Sequence, residues 1–487
     1  MEPENKNAKS APEAAKEQEK EQRVTTSHSV KLGRQKLNYT ATAGTLFLRE
    51  HKDESKIKAR IFFTYYKKDG VRDLKKRPVI FIYNGGPGSS SIWLHMGAFG
   101  PRRCKMNADG TAPKPPFEIV DNEETLLDVA DLVFVDPVST GFSRAEDLEH
   151  EDEFHGLEKD IEAMGDFIMR FCSQQGRWMS PKYLLGESYG TTRSAGLAGY
   201  LNSEQGMYLN GIILVSSILD FATARFDFGN DLPYVLFLPT YAAIAKYHGK
   251  AGKGQSQEDF LANVESFAVN EYLRALFLGT ELPEDEKKEV AAKLAEFTGL
   301  DEEFVLDCNL KPSIWRFTKN LLKKEGYSVG RFDGRVKGRD GEKAGDHPEC
   351  DPSHSATAGV FTTCFNDYVT QELGYSSEKL YLVLTGRAHP WKSDHEGRYV
   401  NVSDRLRQAI CRNTDLKVLI ANGYFDLATP YFATWHTVNH MPLSPELKKN
   451  VSQTYYQGGH MMYTIDKERA KLKADIAEFI SKSSNKK

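Results

Sequence analysis

What this sequence has little of narrows its class first. No apolar run approaches the ~20 residues of a bilayer-spanning helix, so no membrane span is expected. An excess of one charge is also missing. Lysine and arginine number 64 against 68 acids, a formal net charge of −4, which makes no electrostatic case for nucleic acid or an anionic lipid surface as partner. The six cysteines, Cys104, Cys172, Cys308, Cys350, Cys364 and Cys411, show neither CxxC nor Cys/His zinc spacing, so no metal site, redox motif or cofactor is expected. One or two disulfides stay open, with no pairing readable. Residues 1–29 lack Leu, Ile and every aromatic, and a segment that cannot bury apolar surface cannot offset its ordering entropy. A disordered charged tail is expected there. It has no apolar h-region, so it does not read as a signal peptide; the expected compartment is the cytoplasm, or the periplasm or exterior if a leader was trimmed away.

What is present is an alternation of strand and helix signals from about residue 30 onward, in a chain of 487 residues long enough for a large core with an insertion. Val79–Tyr83, Leu132–Val135, Tyr183–Leu185, Ile212–Val215 and Val418–Ala421 are short continuous apolar runs, as strands covered on both faces should be. Leu157, Ile161, Met164, Ile168 and Phe171 fall on one helical stripe, and Leu472, Ile476, Phe479 and Ile480 repeat the pattern near the end. Such alternation builds a mostly parallel sheet with helices on both faces. Lys36–Tyr66 reads as an antiparallel edge before it.

The pattern G-x-S-x-G occurs at Gly186–Gly190 and again at Gly326–Gly330, and context separates the two. A nucleophile elbow needs a buried strand before it, a tight turn of small residues, and a closely packed helix after it, so that the hydroxyl stands at the carboxyl edge of the sheet. Ser188 has all three: Lys182–Leu185 ahead, flanking glycines, and a helix carrying Ala195, Gly196, Ala198 and Gly199 behind. Ser328 lies among charged and glycine residues and reads as a solvated turn. A serine needs a base and an orienting acid to become nucleophilic, and in the α/β-hydrolase fold they follow in the order Ser, Asp, His. Asp426 closes the strand Val418–Ala421 through a short turn, and His460 follows Gly458-Gly459 just before the last amphipathic helix. Asn84–Ser91, directly after the strand Val79–Tyr83, supplies glycines whose backbone N–H groups can approach a developing oxyanion, with Tyr189 N–H as the second donor.

These blocks resemble the serine carboxypeptidase family, in a bacterial-type form, through Asn84–Ser91, Phe134–Ser143, Gly186–Gly190, the Asp426 turn and Gly459-His460-Met461. The resemblance implies Ser188 as nucleophile, His460 as base, Asp426 as its orienter, and Gly86 with Tyr189 as the oxyanion hole. It also implies that Asn84, Gly85 and Glu187 hold the terminal carboxylate of a peptide substrate. Two positions depart from the pattern. Ser89 stands where the family commonly has cysteine, and Ala98 where it typically has a second acid for the carboxylate. The expectation from Ala98 is a smaller preference for free over amidated C-termini and activity extending toward neutral pH.

The stretch from Ser188 to Asp426 far exceeds the two βα units, roughly 30 residues each, that the sheet needs there. A cap is therefore expected at 221–378, inserted between catalytic segments 30–220 and 379–487, with Tyr234, Phe237, Tyr241 and Trp315 either lining the cleft or filling the cap's own core. An acyltransferase or esterase on the same triad, and a non-catalytic peptide-binding protein, are the competing functions.

Overall fold

In the computed structural model, which describes residues 20–50, 52–393 and 397–484, the short apolar runs form the middle of one sheet. Strands β1 (Arg23–Leu32), β2 (Gln35–Arg49) and β3 (Ile57–Lys68) make an antiparallel meander. Strands β4 (Val79–Tyr83), β5 (Asp131–Val135), β6 (Lys182–Ser188), β7 (Gly211–Ser217), β8 (Lys417–Gly423) and β9 (Val451–Tyr456) run parallel to one another. The order across the sheet is β1-β2-β3-β5-β4-β6-β7-β8-β9, with β3 antiparallel to β5 and a two-residue strand, Arg144–Ala145, paired on β3. This is the α/β-hydrolase architecture. After β4 the chain steps outward to β5 and then crosses back to β6 on the other side of β4. That reversal opens a crevice at the carboxyl ends of β4 and β6, where ligands of open α/β sheets bind.

Two apolar layers hold the sheet. On one face lie α1 (Leu157–Gln174) and α2 (Tyr189–Ser203), and the stripe Leu157, Ile161, Met164, Ile168 and Phe171 packs with Phe81, Val133, Leu184 and Leu214. Each such side chain, fully buried, contributes about 1.5–3 kcal/mol. Strands β4, β5 and β7 are buried at every residue, which is why they read as unbroken apolar runs rather than as alternating ones. Between β7 and β8 the cap is built on the helices α3 (Leu232–Tyr247), α4 (Gln257–Phe267), α5 (Glu284–Thr298) and α6 (Ile314–Asn320). Their core includes Phe237, Tyr241, Val264, Leu294 and Phe317, together with Phe425 and Leu427 from the turn after β8. The opposite face of the sheet receives α7 (Pro352–Asp367) and α8 (Asp466–Ser484), through Val360, Phe361, Leu472 and Ile476.

The structure departs from expectation at three places. Residues 23–29 are not a tail without structure. They form most of β1, whose backbone pairs with β2 from Arg23↔Gly44 to Leu32↔Gln35, so ladder hydrogen bonds order a segment that has little apolar surface. Residues 1–19 lie outside the described residues. Helix α7, expected within the inserted 221–378, packs with the sheet's own core because Val360, Phe361 and Phe365 face Trp93 and Met96. Ser328 is buried rather than solvated, in a two-residue strand paired with Lys337–Gly338. The segment after it is split: residues 331–336 are mostly half-buried against the catalytic side, whereas 341–349 are exposed almost throughout. Among the described residues no cysteine is in a disulfide, and no helix is long and apolar enough to cross a membrane.

Limited proteolysis should therefore place its first cut within the described chain between residues 341 and 349, with 331–336 resistant. Mass spectrometry of the early fragments checks this; an early nick at 331–336 would mean that the segment is not docked in solution.

Candidate active site

Strand β6 turns into α2 at a single residue, Ser188, with φ 59° and ψ −130°. A residue with a Cβ takes up such a backbone only where its surroundings over-determine it. Here they do. A Cβ on Gly186 would lie 2.2 Å from the carbonyl oxygen of Gly190, and one on Gly85 would lie 2.4 Å from the Tyr189 nitrogen. The loop after β4 and the turn after β6 thus touch backbone to backbone. Tyr189 is the first residue of α2, so its N–H has no partner within the helix and is available at the positive end of the helix dipole. The Tyr189 ring points away into the core, beside Trp391 at 5.3 Å.

A buried ion pair clamps this contact. Arg193 of α2 donates from Nε to Asp160 Oδ2 of α1 at 2.8 Å and from Nη1 to the Asn84 carbonyl at 2.7 Å. Its guanidinium also lies over the rings of Tyr83 and Tyr189, 5.2 and 5.4 Å from their centroids.

Asp426 and His460 approach from the ends of β8 and β9. Asp426 is fully buried. Its Oδ1 accepts from the N–H groups of Ala428 and Thr429 at 2.8 and 3.1 Å, and its Oδ2 from the Thr429 hydroxyl at 2.7 Å. His460 Nδ1 stands 2.8 Å from Asp426 Oδ2; with the proton on Nδ1 facing a carboxylate, Nε2 is left as the basic nitrogen. Burial pulls the imidazole's pKa down, but the Asp426 charge and hydrogen bond, with the Glu187 charge, raise it above its ordinary value. The His460 backbone is held at both ends: its N–H donates to the Phe332 carbonyl, and its carbonyl accepts from Ser216 Oγ at 2.7 Å. Ser216 sits at φ 50° in a bulge of β7.

Glu187 is also buried. Its Oε1 accepts from Asn84 Nδ2 at 2.8 Å, and Asn84 Oδ1 in turn accepts from the Leu94 N–H at 3.1 Å. Burial raises its pKa to about 7, against the lowering effect of His460, Tyr463 and Asn84. Its Oε2 makes no well-aligned hydrogen bond, and neither does the neighbouring hydroxyl of Tyr463.

Ser188, Glu187, Asn84, Gly85, Gly86 and His460 line one cleft of about 340 Å³. Asp426 backs His460, and Tyr189 reaches the site through its backbone alone. The segment 382–389 closes one rim, with the Thr385 N–H on the Gly88 carbonyl at 3.0 Å and Leu384, Thr385, Gly386 and His389 facing the cleft. Ala98 is buried in the core below and is not among the cleft residues, and neither are Tyr234, Phe237, Tyr241 and Trp315. Sequence reasoning missed Thr429, Ser216, Phe332, Arg331 and Tyr463. Only Thr429 left a signal, as the third residue after an aspartate in an Asx-type turn.

Removing one member of the Arg193–Asp160 pair strands the other's charge in the core. Arg193→Met should lower unfolding free energy by about 3–5 kcal/mol, with Asp160→Asn/Arg193→Met recovering part of the loss. Urea unfolding midpoints of the two variants check this, and equal losses in both would show that the charge pairing is not what holds the turn.

Residues 35–225 match the serine carboxypeptidase family. Among individual proteins, a pheromone-processing carboxypeptidase of Debaryomyces hansenii is 37% identical over 91 residues, covering 18% of this chain and 12% of the relative. A serine carboxypeptidase-like protein of Arabidopsis thaliana is 29% identical over 188 residues, covering 36% of this chain and 37% of the relative. The chain therefore spans well under half the length of the curated relatives it matches. The crystal structure of a prohormone-processing carboxypeptidase from Saccharomyces cerevisiae superposes on 91% of this chain and 91% of its own, at a TM-score of 0.58 and 17% identity, a likeness of fold. Residues 35–225, which hold the glycine loop, the elbow and both halves of the Arg193–Asp160 pair, are thus the part of this chain that is similar to the serine carboxypeptidase family.

Proposed function

We propose that this protein is a serine carboxypeptidase that removes C-terminal residues from peptides through Ser188, His460 and Asp426. The observation that carries the proposal is the pairing of two features in one cleft: a serine at a forced elbow beside a carboxylate-oriented histidine, and a buried glutamate whose proton is retained near neutral pH. His460 Nε2 takes the Ser188 proton as Oγ attacks the scissile carbonyl. The N–H groups of Gly86 and Tyr189 receive the oxyanion, and His460 then protonates the leaving amine. Water, deprotonated by the same nitrogen, releases the acyl group from Ser188.

Two carboxylates repel and neither can donate, so Glu187 holds a substrate's terminal carboxylate only when protonated. Asn84 fixes Oε1 by donating to it, which leaves Oε2 to carry the proton. An esterase or acyltransferase on the same triad has no use for that proton. A purely peptide-binding role has none for the Asp426–His460 bond. A finer placing as a bacterial-type member has no support among the matches named, which come from yeasts and a plant.

Ser188→Ala should abolish labelling by an organophosphonate probe and lower kcat by about 10⁴–10⁶, and Asp426→Asn should lower it by about 10⁴. Near wild-type turnover in Ser188→Ala would overturn the assignment. The pH dependence separates peptidase from esterase. His460 must be neutral to act, so kcat/KM rises as pH climbs through its raised pKa. Glu187 must be protonated to hold a carboxylate, so for free-acid peptides kcat/KM falls again above about pH 7. Amidated peptides should show the rising limb alone; identical profiles for free-acid and amidated peptides would remove Glu187 from the carboxylate site.

A further inference from the structure

Arg331 lines the same cleft as Ser188, Glu187 and His460, and the mechanism above does not use it. Its guanidinium lies over the Phe332 ring, 4.6 Å from the centroid, and that ring packs on His460 at 5.1 Å. Cation, phenyl and imidazole are thus in series, and the cation is held in place at the catalytic histidine. Nearby in this part of the cap Lys319 pairs with Asp340 and Arg335 with Asp333, while the exposed Lys337 and Arg339 lie over the Tyr327 ring. Arg331 has no carboxylate within 4.0 Å among the described residues. The charges of Asp351 and Asp426 reach it without direct contact: Asp351 uses Oδ1 on the N–H groups of Arg331 and Ser353, capping α7, and Asp426 is hydrogen-bonded to His460 Nδ1. A largely buried guanidinium with no carboxylate in direct contact is costly, and an arriving anion that its donors can reach relieves that cost. Its planar fork of donors fits a carboxylate.

We propose that Arg331 anchors a carboxylate of the substrate, either the C-terminal one or that of an Asp or Glu side chain flanking the scissile bond. The assignment of that carboxylate to a peptide rests on the peptidase proposal; the anchoring itself rests on the cleft.

The test is calorimetric titration of the Ser188→Ala protein with four peptides of one length, combining a free-acid or amidated terminus with Glu or Gln in the last two positions. The titrations are repeated after adding Arg331→Met or Arg331→Lys. Arg331→Met should weaken binding by about 10- to 100-fold for peptides that carry the anchored carboxylate, and by no more than about twofold for the neutral amide. Arg331→Lys should retain part of the affinity, since it keeps the charge and loses the fork. Loss on both free-acid peptides whatever their side chain assigns the terminus; loss on both Glu peptides whatever their terminus assigns the side chain. Equal loss on all four peptides, no loss on any, or no binding of any peptide before the change would overturn the proposal. Turnover of the same peptides by the wild type is read separately: peptides that bind through Arg331 and are never cut overturn the peptidase assignment and leave the anchor standing.

Discussion

The contact of two main-chain turns, Gly85 against Tyr189 and Gly190, is the constraint on which the rest of the site depends. With no side chain between them, the loop after β4 and the turn after β6 are spaced by backbone van der Waals radii alone. That spacing brings the Tyr189 and Gly190 nitrogens against the loop after β4, next to the positive φ of Ser188, and lets Asn84 bridge to Glu187. Glycines make the approach sterically open but supply no attraction. Cohesion comes from Arg193, which joins α2, the Asn84 carbonyl and Asp160 of α1 in one buried network. The strain at Ser188 is thus balanced by a charge pair about one helical turn along α2.

The other half of the site has to arrive from more than two hundred residues away in sequence, and the sheet is what delivers it. Strands β8 and β9 continue the parallel register beyond β7, from Val418↔Val451 to Gly423↔Tyr456, so the turns that follow them emerge on the same edge as the elbow. Fine placement is local. The carboxylate of Asp426 receives two backbone N–H groups, the Thr429 hydroxyl and the imidazole, which leaves His460 one orientation. The bulge at Ser216 and the carbonyl of Phe332 fix the His460 backbone from two different segments. The cap contributes directly here: Phe332 and Arg331 belong to the stretch between α6 and α7, and Phe425 and Leu427, flanking Asp426, lie in the cap's core. The placement of His460 and Asp426 therefore depends on the packing of the cap.

How much of this the sequence discloses depends on how local each cause is. The elbow is written in consecutive residues, an apolar strand, two glycines and a small-residue helix, and the parallel strands are recognisable because burial on both faces removes polar residues from them. Residues 23–29 show the converse. Their order comes from ladder bonds to β2, and Thr, Ser and His alternate there with few apolar residues, so composition reads as tail. Arg331 and Phe332 follow glycine and precede a charged run, which looks solvated until α7 packs under the sheet and draws the segment against His460. Position 98 is a different case. Alignment to a family pattern places it beside the carboxylate, yet in this chain Ala98 lies in the core with its carbonyl bonded to Asn122, and the hydroxyl of Tyr463 is the group found next to Glu187. A pattern carries the position of a residue without the volume its neighbours occupy.

In the proposed peptidase, the nearness of Glu187 to His460 explains why an acid is suited to a carboxylate-binding role beside a general base. Each group's charge bears on the other's proton: an ionised Glu187 raises His460, and a charged His460 lowers Glu187. A lysine or arginine at position 187 would bind a carboxylate well but would depress His460 when the site is empty, and the arriving anion would then cancel that effect, so the base would change strength with occupancy. A glutamic acid avoids this. Ionised and alone, it presents one negative charge to the imidazole; protonated and holding a substrate carboxylate, the pair again presents one. Where Glu187 is ionised before binding, its contribution to the field at His460 is nearly the same afterwards, a proton being taken up from solvent as the carboxylate arrives; the contribution that changes with occupancy is that of Arg331, whose charge lowers His460. In the proposed enzyme the strength of His460 is thus set mainly by the fold, through burial and Asp426, with Glu187 adding little that depends on the peptide in the cleft.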